Sequence, residues 1–382
     1  MSEWKKVKLK DCCHSISDGD HLPPPKSNSG VPFVTIANID ATNHIDFGNT
    51  MFVPLEYYNN LNDIRKAKCN DILYSVVGSF GKPVLIKENI PFAFQRHIAI
   101  LRPNNEIADS RFLYYVMLTR DFFMQADTVA IGAAQRTISL TALRNMEVKL
   151  PSMETQHRIA SILSRYDSLI ENYQKQIKLL GEAAQRLYKE WFIDLHFPGH
   201  ENTNIIDGVP EGWEKKKVGD ITPIITGKKD ANFGTPDGEY PFFTCSQEPI
   251  KAPSFSFDCA AVLLAGNGDF NVKLYRGRFE AYQRTYVLSP YIDSHLYLLF
   301  YTISANMTKL AAGSSGSTIK FLTKGMIDGI NLNVPNDEIL RSFNKKVEPI
   351  QSSRESLQSQ LRLLTEARDR LLPKLMSGEI TI

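Results

Sequence analysis

Residues 71–96 read DILYSVVGSFGKPVLIKENIPFAFQR, and residues 258–284 read DCAAVLLAGNGDFNVKLYRGRFEAYQR. The second stretch answers the first at a shift of 188, pairing Gly78 with Gly266, Phe94 with Tyr282, and Gln95-Arg96 with Gln283-Arg284. Working outward, Trp4-Lys5-Lys6-Val7 returns as Trp213-Glu214-Lys215-Lys216 at a shift of 209, and Thr137-Ile138 returns as Thr318-Ile319 at 181. These shifts drift, so the loops between matched segments differ in length. Residues 151–191 instead map onto 335–375 at a constant 184, with no insertion across the whole stretch. A period near 190 far exceeds that of solenoid repeats, so the chain is a duplication of whole domains. Each half is a variable globular part followed by a segment of fixed length: 1–150, 151–195, 196–334 and 335–382.

The fixed segments carry a heptad pattern. In the first, Ile159, Leu163, Tyr166, Ile170, Tyr173, Ile177, Leu180, Ala184, Leu187 and Trp191 step by four and three throughout, the a/d rule of a coiled-coil seam. The second places Phe343, Val347, Ile350, Arg354, Leu357, Leu361, Leu364, Arg368, Leu371 and Leu375 at the matching positions. Each helix is expected to be roughly 45–50 Å long at 1.5 Å per residue. A single apolar seam needs a partner, and two of equal length in one chain predict an intramolecular antiparallel pair that holds the globular parts apart. Arg354 and Arg368 interrupt the second seam. Snorkelling to the edge is the expected outcome for them, with contact to an acid of a partner as the alternative. Pro349 and Pro373 predict a kink and a stop.

At 382 residues, with 43% apolar and 23% charged residues, the chain has the composition of a soluble globular protein, and each globular part is large enough to bury its own core. No run of 18 apolar residues and no leader pattern opens the sequence, which predicts a cytoplasmic protein with no membrane contact. Cys12, Cys13, Cys69, Cys245 and Cys259 form no metal-ligand or disulfide spacing and read as incidental thiols. The net charge of +2 is spread as +2, 0, −1 and +1 over the four segments. That excludes a nonspecific basic coat for nucleic acid. Any DNA contact must draw on base edges or on a more basic partner.

Residues 31–36, 71–77, 83–86 and 92–101 are rich in Val, Ile and aromatics and predict strands. Residues 110–121 and 293–304 predict short helices opened by Ser or Asp. The fold class is therefore α+β, with two duplicated globular parts, each a curved, mostly antiparallel sheet with helices. Residues 78–81 and 266–269 are tight connections between strands. Motifs for chemistry fail their context tests. Leu264-Ala265-Gly266-Asn267-Gly268 resembles a nucleotide-binding or S-adenosylmethionine-binding glycine turn, but a strand pattern and not a helix follows it. There is no adenine-methylation N-P-P-[YF] loop, Pro23-Pro24-Pro25 lacking the preceding Asn, and no ATP-binding P-loop. The histidines are scattered singly, so no metal site is predicted. Asp127 with Glu147 and Lys149 has the letters of a nuclease set at a spacing that arises often by chance.

The ends of the two repeats carry a resemblance. Residues 187–194 (LYKEWFID), Phe197-Pro198-Gly199, residues 208–213 (GVPEGW) and residues 371–380 (LLPKLMSGEI) are similar to the segments that close each repeat in the specificity (S) subunits of Type I restriction-modification systems. The likeness extends over essentially the whole chain. It implies that each globular part is a target recognition domain reading one half of an interrupted site on double-stranded DNA. It also implies that the helices separate the halves and dock two methyltransferase (M) subunits, and that motor-nuclease restriction (R) subunits complete the assembly. The chain itself would carry no catalytic site and no cofactor; S-adenosylmethionine and ATP with magnesium would bind the partners. A rod of the expected length spans roughly 13–15 base pairs of 3.4 Å rise, comparable with half-sites one helical turn apart. A protein-binding scaffold or adaptor with a coiled-coil spacer is the alternative.

Two domains that read different half-sites should share positioning contacts and differ where bases are read. Gln95, Arg96, Gln283 and Arg284, identical in both copies, are therefore assigned to the framework or to phosphate. Base discrimination is expected from the loops that differ: Asp18, Gly19 and His21 against Lys228 and Lys229; Ser79 and Lys82 against Asn267, Asp269 and Lys273; Gln135 and Arg136 against Ser317.

Overall fold

The structure, a computed structural model, describes residues 4–21, 23–40, 42–133, 135–314, 320–380 and 382. It divides into two compact units, 1–172 with 360–382 and 173–359.

Each unit is closed at its base by a short antiparallel ribbon. In the first, Lys5–Lys8 pairs with Glu147–Leu150; in the second, Glu214–Lys217 pairs with Asn331–Val334. Alternation builds these strands: Val148 and Leu150 turn inward while Glu147 and Lys149 face solvent. The ribbon brings the end of each globular part back to its beginning, immediately before the proline that precedes each long helix.

The first unit has a four-stranded antiparallel sheet in the order Cys13–Asp18, Ile98–Pro103, Ile72–Ser75, Pro83–Leu85. A three-stranded sheet orders Ala93–Phe94, Val31–Val34, Met51–Val53, the first pairing parallel. The second unit has six strands in the order Ile224–Thr226, Thr285–Leu288, Phe257–Ala265, Val272–Ala281, Tyr240–Phe243, Ile250–Ala252. The two orders are the same once the long strand Val272–Ala281 is matched to Pro83–Leu85 and Ala93–Phe94 together. Residues 86–92 interrupt that strand in the first unit, so one sheet there becomes two. The duplication seen in the sequence is thus a duplication of topology, antiparallel apart from one parallel pairing in each unit.

Several expected elements are trimmed or extended. The strand expected at 92–101 is broken at 95–97 by a turn in which the Ile98 amide donates to the Gln95 carbonyl at 3.1 Å. The helix expected at 110–121 stops at Leu118, and a second runs Arg120–Val129. Asp109 rather than Ser110 caps the first, accepting from the Phe112 amide at 2.9 Å, and Thr119 caps the second. The helix expected at 293–304 starts at Leu296, without a side-chain cap, and continues to Gly313.

The long helices run Met153–Tyr188 and Asp337–Ser377, 36 and 41 residues, or about 54 and 62 Å. Helical backbone continues through Pro349 and past Pro373. The expected stop falls instead at Gly378, in the left-handed region at φ 75°. Each proline removes a backbone hydrogen bond, but Val347 and Gln351 are buried on either side of Pro349 and Leu375 lies buried beyond Pro373, which holds the helix in register. Every seam position from Ile159 to Trp191 and from Phe343 to Leu375 is buried or half-buried, and none is exposed.

Within the first unit the early turns of the first helix pack with the last turns of the second, Ile159, Ala160 and Leu163 sharing a core with Leu371 and Leu375. Within the second unit the relation is reversed: Ala184 and Trp191 share a core with Phe343 and Val347. Each pairing is antiparallel. Fully burying such a side chain contributes about 1.5–3 kcal/mol. The repeated tryptophans finish the pattern. Trp4 covers Gly378 at the end of the second helix, and Trp213 packs on Phe192, 5.6 Å between ring centres, at the end of the first.

The seam arginines separate. Arg368 does not snorkel to the edge: its Nη1 donates to Asp167 Oδ1 on the facing helix at 3.0 Å. Arg354 lies over Gly181, where a Cβ would sit 3.4 Å from its guanidinium, and donates to Gln351 Oε1 at 2.9 Å.

Candidate nucleic-acid interface

In the first unit the three loops singled out in the sequence converge on the Gln-Arg turn, held there by backbone hydrogen bonds, and in the second the two described ones do so, joined by the segment at Leu322. In the first, the Asp20 amide donates to the Phe94 carbonyl (3.2 Å) and the Val76 amide to the His97 carbonyl (2.9 Å). The Gly78 amide in turn donates to the Arg136 carbonyl at 2.9 Å. Segments 18–21, 76–82 and 135–138 therefore form one cluster around Gln95-Arg96. In the second unit the Gln283 amide donates to the Lys229 carbonyl (2.9 Å), the Gly266 amide to the Arg284 carbonyl (2.8 Å) and the Leu322 amide to the Gly266 carbonyl (2.8 Å). The same three-loop arrangement results. Close approach demands glycine at one point in each. A Cβ on Gly19 would lie 2.2 Å from the Phe94 carbonyl oxygen, and one on Gly227 would lie 1.9 Å from that of Ala281.

The side chains at the two clusters differ. In the first, Asp18 accepts from His21 Nε2 at 2.8 Å, while Asp20 accepts from the Tyr57 hydroxyl at 2.7 Å and from Arg65 at 3.2 Å. Burial and the Asp20 carboxylate push the Tyr57 phenol well above its ordinary range. Both acids thus take hydrogen bonds or an ion pair from within the domain, and His21 is exposed. Ser75 Oγ donates to the Ser79 carbonyl (3.0 Å) and accepts from the Lys82 amide (2.9 Å), which fixes the 78–81 turn. Lys82 Nζ reaches the Ile39 carbonyl at 3.4 Å. Arg136 pairs with Asp127 and lies over the Phe80 ring at 5.3 Å, and Phe80 stacks on Phe123. Gln135 and Arg96 are exposed.

In the second cluster Lys228 is exposed, Lys229 sits over Phe233 at 4.4 Å, and Gln283 Nε2 donates to Asp230 at 3.3 Å. Gln247 donates to Asp269 at 2.6 Å. Lys273 Nζ donates to the Ser246 carbonyl at 2.7 Å and pairs with Asn271; burial lowers its pKa. Lys273 is therefore a strut under the 266–271 turn. Asn267 is half-buried, and Arg284 is exposed. Ser317 lies outside the described residues. Sequence reasoning missed Tyr57, Arg65, Phe80, Phe123 and residues 245–247: Tyr57, Arg65 and Phe123 come from the helical segments Leu55–Asn60, Asp63–Arg65 and Arg120–Val129, and none of these residues carries a motif.

The nuclease letters fall to other roles: Asp127 is paired with Arg136 and Glu147 with Lys6. Among the described residues no group of His, Cys, Asp and Glu could hold a metal ion, and no helix is long and apolar enough to cross a membrane. The five thiols are unbridged, and burial pushes Cys12 up to about 11.

The family model for the Type I restriction modification DNA specificity domain matches twice, over residues 1–180 and 210–353. The chain belongs to that family. It is 36% identical over 177 residues to the EcoDI specificity subunit of Escherichia coli, covering 45% of this chain and 40% of that one. It is 25% identical over 418 residues to a putative MjaX specificity subunit of Methanocaldococcus jannaschii, covering 100% and 94%. Among solved structures it resembles a Type I restriction-modification S subunit from M. genitalium, with TM-score 0.67, 18% identity, and 97% and 96% of the two chains covered. The likeness establishes the S-subunit fold. Both matched regions of the family model contain one of the two loop clusters.

Proposed function

We propose that this chain is the noncatalytic DNA-recognition subunit of a Type I restriction-modification complex, acting in the cytoplasm. Its globular parts, 1–150 and 196–334, each read one half of an interrupted, asymmetric site. The helical segments, 151–195 and 335–382, set the gap and offer the docking face for two methyltransferase subunits, with restriction subunits joining them. S-adenosylmethionine, ATP and magnesium belong to those partners. The observation that carries this reading is the pair of loop clusters: one frame used twice, with different chemistry at the tips. A shared frame fits shared phosphate contacts, and differing tips fit different base sequences.

Arg96 and Arg284, exposed at the same point of each frame, are assigned to phosphate. Base reading falls to His21, Ser79 and Gln135 in the first domain and to Lys228, Asn267 and Ser317 in the second, their amides, hydroxyls and cations matching major-groove edges. Asp18, Lys82, Arg136, Lys229, Asp269 and Lys273 hold those loops in shape. A net charge of +2 keeps sequence-independent attraction low, so the methyltransferase subunits supply much of the cationic surface.

Methylome sequencing of a host carrying the chain with its methyltransferase subunit tests the proposal. Modified adenines in a two-part asymmetric motif with one gap length are expected. A continuous motif, or methylation indifferent to the presence of this chain, overturns it.

A further inference from the structure

Asp167 and Glu171 stand one turn apart on the first long helix, and between them they receive three separate elements of the first globular part. Asp167 Oδ2 accepts from the hydroxyl of Tyr115 at 2.6 Å, a buried residue of the helix Ser110–Leu118, while Asp167 Oδ1 takes Arg368 at 3.0 Å. Glu171 accepts from His44 Nε2 at 3.0 Å and from Lys87. His44 is presented by a tight loop in which Asp40 accepts from the His44 amide at 2.9 Å and the Thr42 hydroxyl meets His44 Nδ1 at 3.1 Å. Lys87 follows the strand Pro83–Leu85. The two carboxylates are only 17% and 34% exposed, so these contacts are screened less than surface pairs.

The second unit does not repeat this. The positions 184 residues later are Gln351 and Glu355. Gln351 donates to the Tyr301 hydroxyl at 2.8 Å, the neutral counterpart of Tyr115 with Asp167, and Glu355 is exposed.

The lever arm gives the arrangement its consequence. The chain passes from globular part to helix at Pro151, and Asp167 lies sixteen residues farther on, about 24 Å along the axis. A domain held only at its base can tilt about that base; contacts far out on the lever fix the angle. A tilt of roughly 8° displaces a group 24 Å from the pivot by about 3.4 Å, one base-pair rise.

We propose that Asp167 and Glu171 are positioning residues that clasp the first recognition domain to the helix at a set angle and thereby restrict the gap between the half-sites. This rests on the gap-setting role of the helices proposed above.

The test uses the full chain with its methyltransferase subunits and a plasmid series in which the two half-sites are separated by the natural gap, one base pair fewer, or one more, read as fraction of adenines methylated. Asp167→Asn with Glu171→Gln is expected to cut the preference for the natural gap by about fivefold, the scale of two partly exposed charged contacts, with both half-site sequences unchanged. His44→Gln, which removes one outer arm and leaves the core intact, is expected to give a smaller loss in the same direction and serves if the double variant fails to fold. Glu355→Gln is expected to be silent. A wild-type complex that accepts all three gaps alike sinks the ruler itself. A selective wild type whose preference survives both Glu171→Gln and His44→Gln sinks the clasp and leaves the ruler standing.

Discussion

The two globular parts share a strand order, a closing ribbon and a Gln-Arg turn ringed by three loops, yet the first surrounds that turn with acids bonded from within and the second with exposed and aromatic-backed lysines. What is common is backbone, and what differs is side chain. A frame fixed by amide-to-carbonyl bonds can therefore carry unrelated loop chemistry without altering its pairing.

The largest break in that comparison comes at the glycines. Gly19→Ala and Gly227→Ala each drive a methyl into a backbone carbonyl, at 2.2 and 1.9 Å, and each is expected to cost about 3 kcal/mol by overpacking, read as a lowered midpoint of thermal unfolding. Similar losses at the two sites support equivalent frames. A tolerated alanine at one of them shows that the loops are seated differently.

The seam arginines sharpen the contrast at the next level. Arg368→Met strands Asp167 without its cation and is expected to cost about 2 kcal/mol, because an acid left uncompensated in a mostly buried site is penalised. Arg354→Met removes a guanidinium whose Nε is buried without a partner and is expected to be neutral or to stabilise by about 1 kcal/mol. Chemical denaturation of the two variants side by side reads the difference; equal destabilisation would erase it.

The smallest effect is in pH. The hydrogen bond to Glu171 raises the pKa of His44 above its ordinary 6.5, Asp40 adding to the rise while burial and Lys87 oppose it. A raised histidine contributes stability that is complete below about pH 6.5 and is lost as pH climbs through the raised value. The hydrogen bond from His44, followed by Lys87, holds Glu171 down to about 2, so its contribution is present above its ordinary range and disappears only in strong acid. The clasp is thus fullest from about pH 5 to 6.5. Raising the pH to 8 should relax gap selectivity slightly, since Lys87 still faces Glu171. His44→Gln should remove that pH dependence, and a pH-dependent preference in the variant would place its source elsewhere.

Much of this architecture was legible in the sequence because periodicity and repetition are local properties. The seam from Ile159 to Trp191 needed only the step of four and three, and the equivalence of the two halves near Trp4 and Trp213 showed as a repeat, although the ribbons that begin there did not. Contacts made across long stretches of chain left no such mark. Nothing near Asp20 signals Tyr57 or Arg65, and Asp167 does not announce an arginine two hundred residues away. Proline at 349 reads locally as a kink point and at 373 as a helix stop, but burial along the seam carries the helix through both. The strand expected over 92–101 runs too long because apolar residues flank Gln95-Arg96-His97 on both sides, while the turn at 95–97 is set by the loops packed on it. Of the candidate site, the Gln-Arg turns and the matched loops were visible as identity and difference between copies; which side chains point outward and which brace the loops depends on partners that only the fold supplies.

The four-residue ribbons have one more consequence. Because strand Lys5–Lys8 lies against Glu147–Leu150, and Glu214–Lys217 against Asn331–Val334, each globular part enters and leaves through the same doorway. Whatever is inserted between those paired strands, longer or shorter, need not change where the chain joins each helix. A gene built this way can exchange one globular part for another by two cuts, and the exchange carries along whatever contacts that part makes with the helix beyond the doorway.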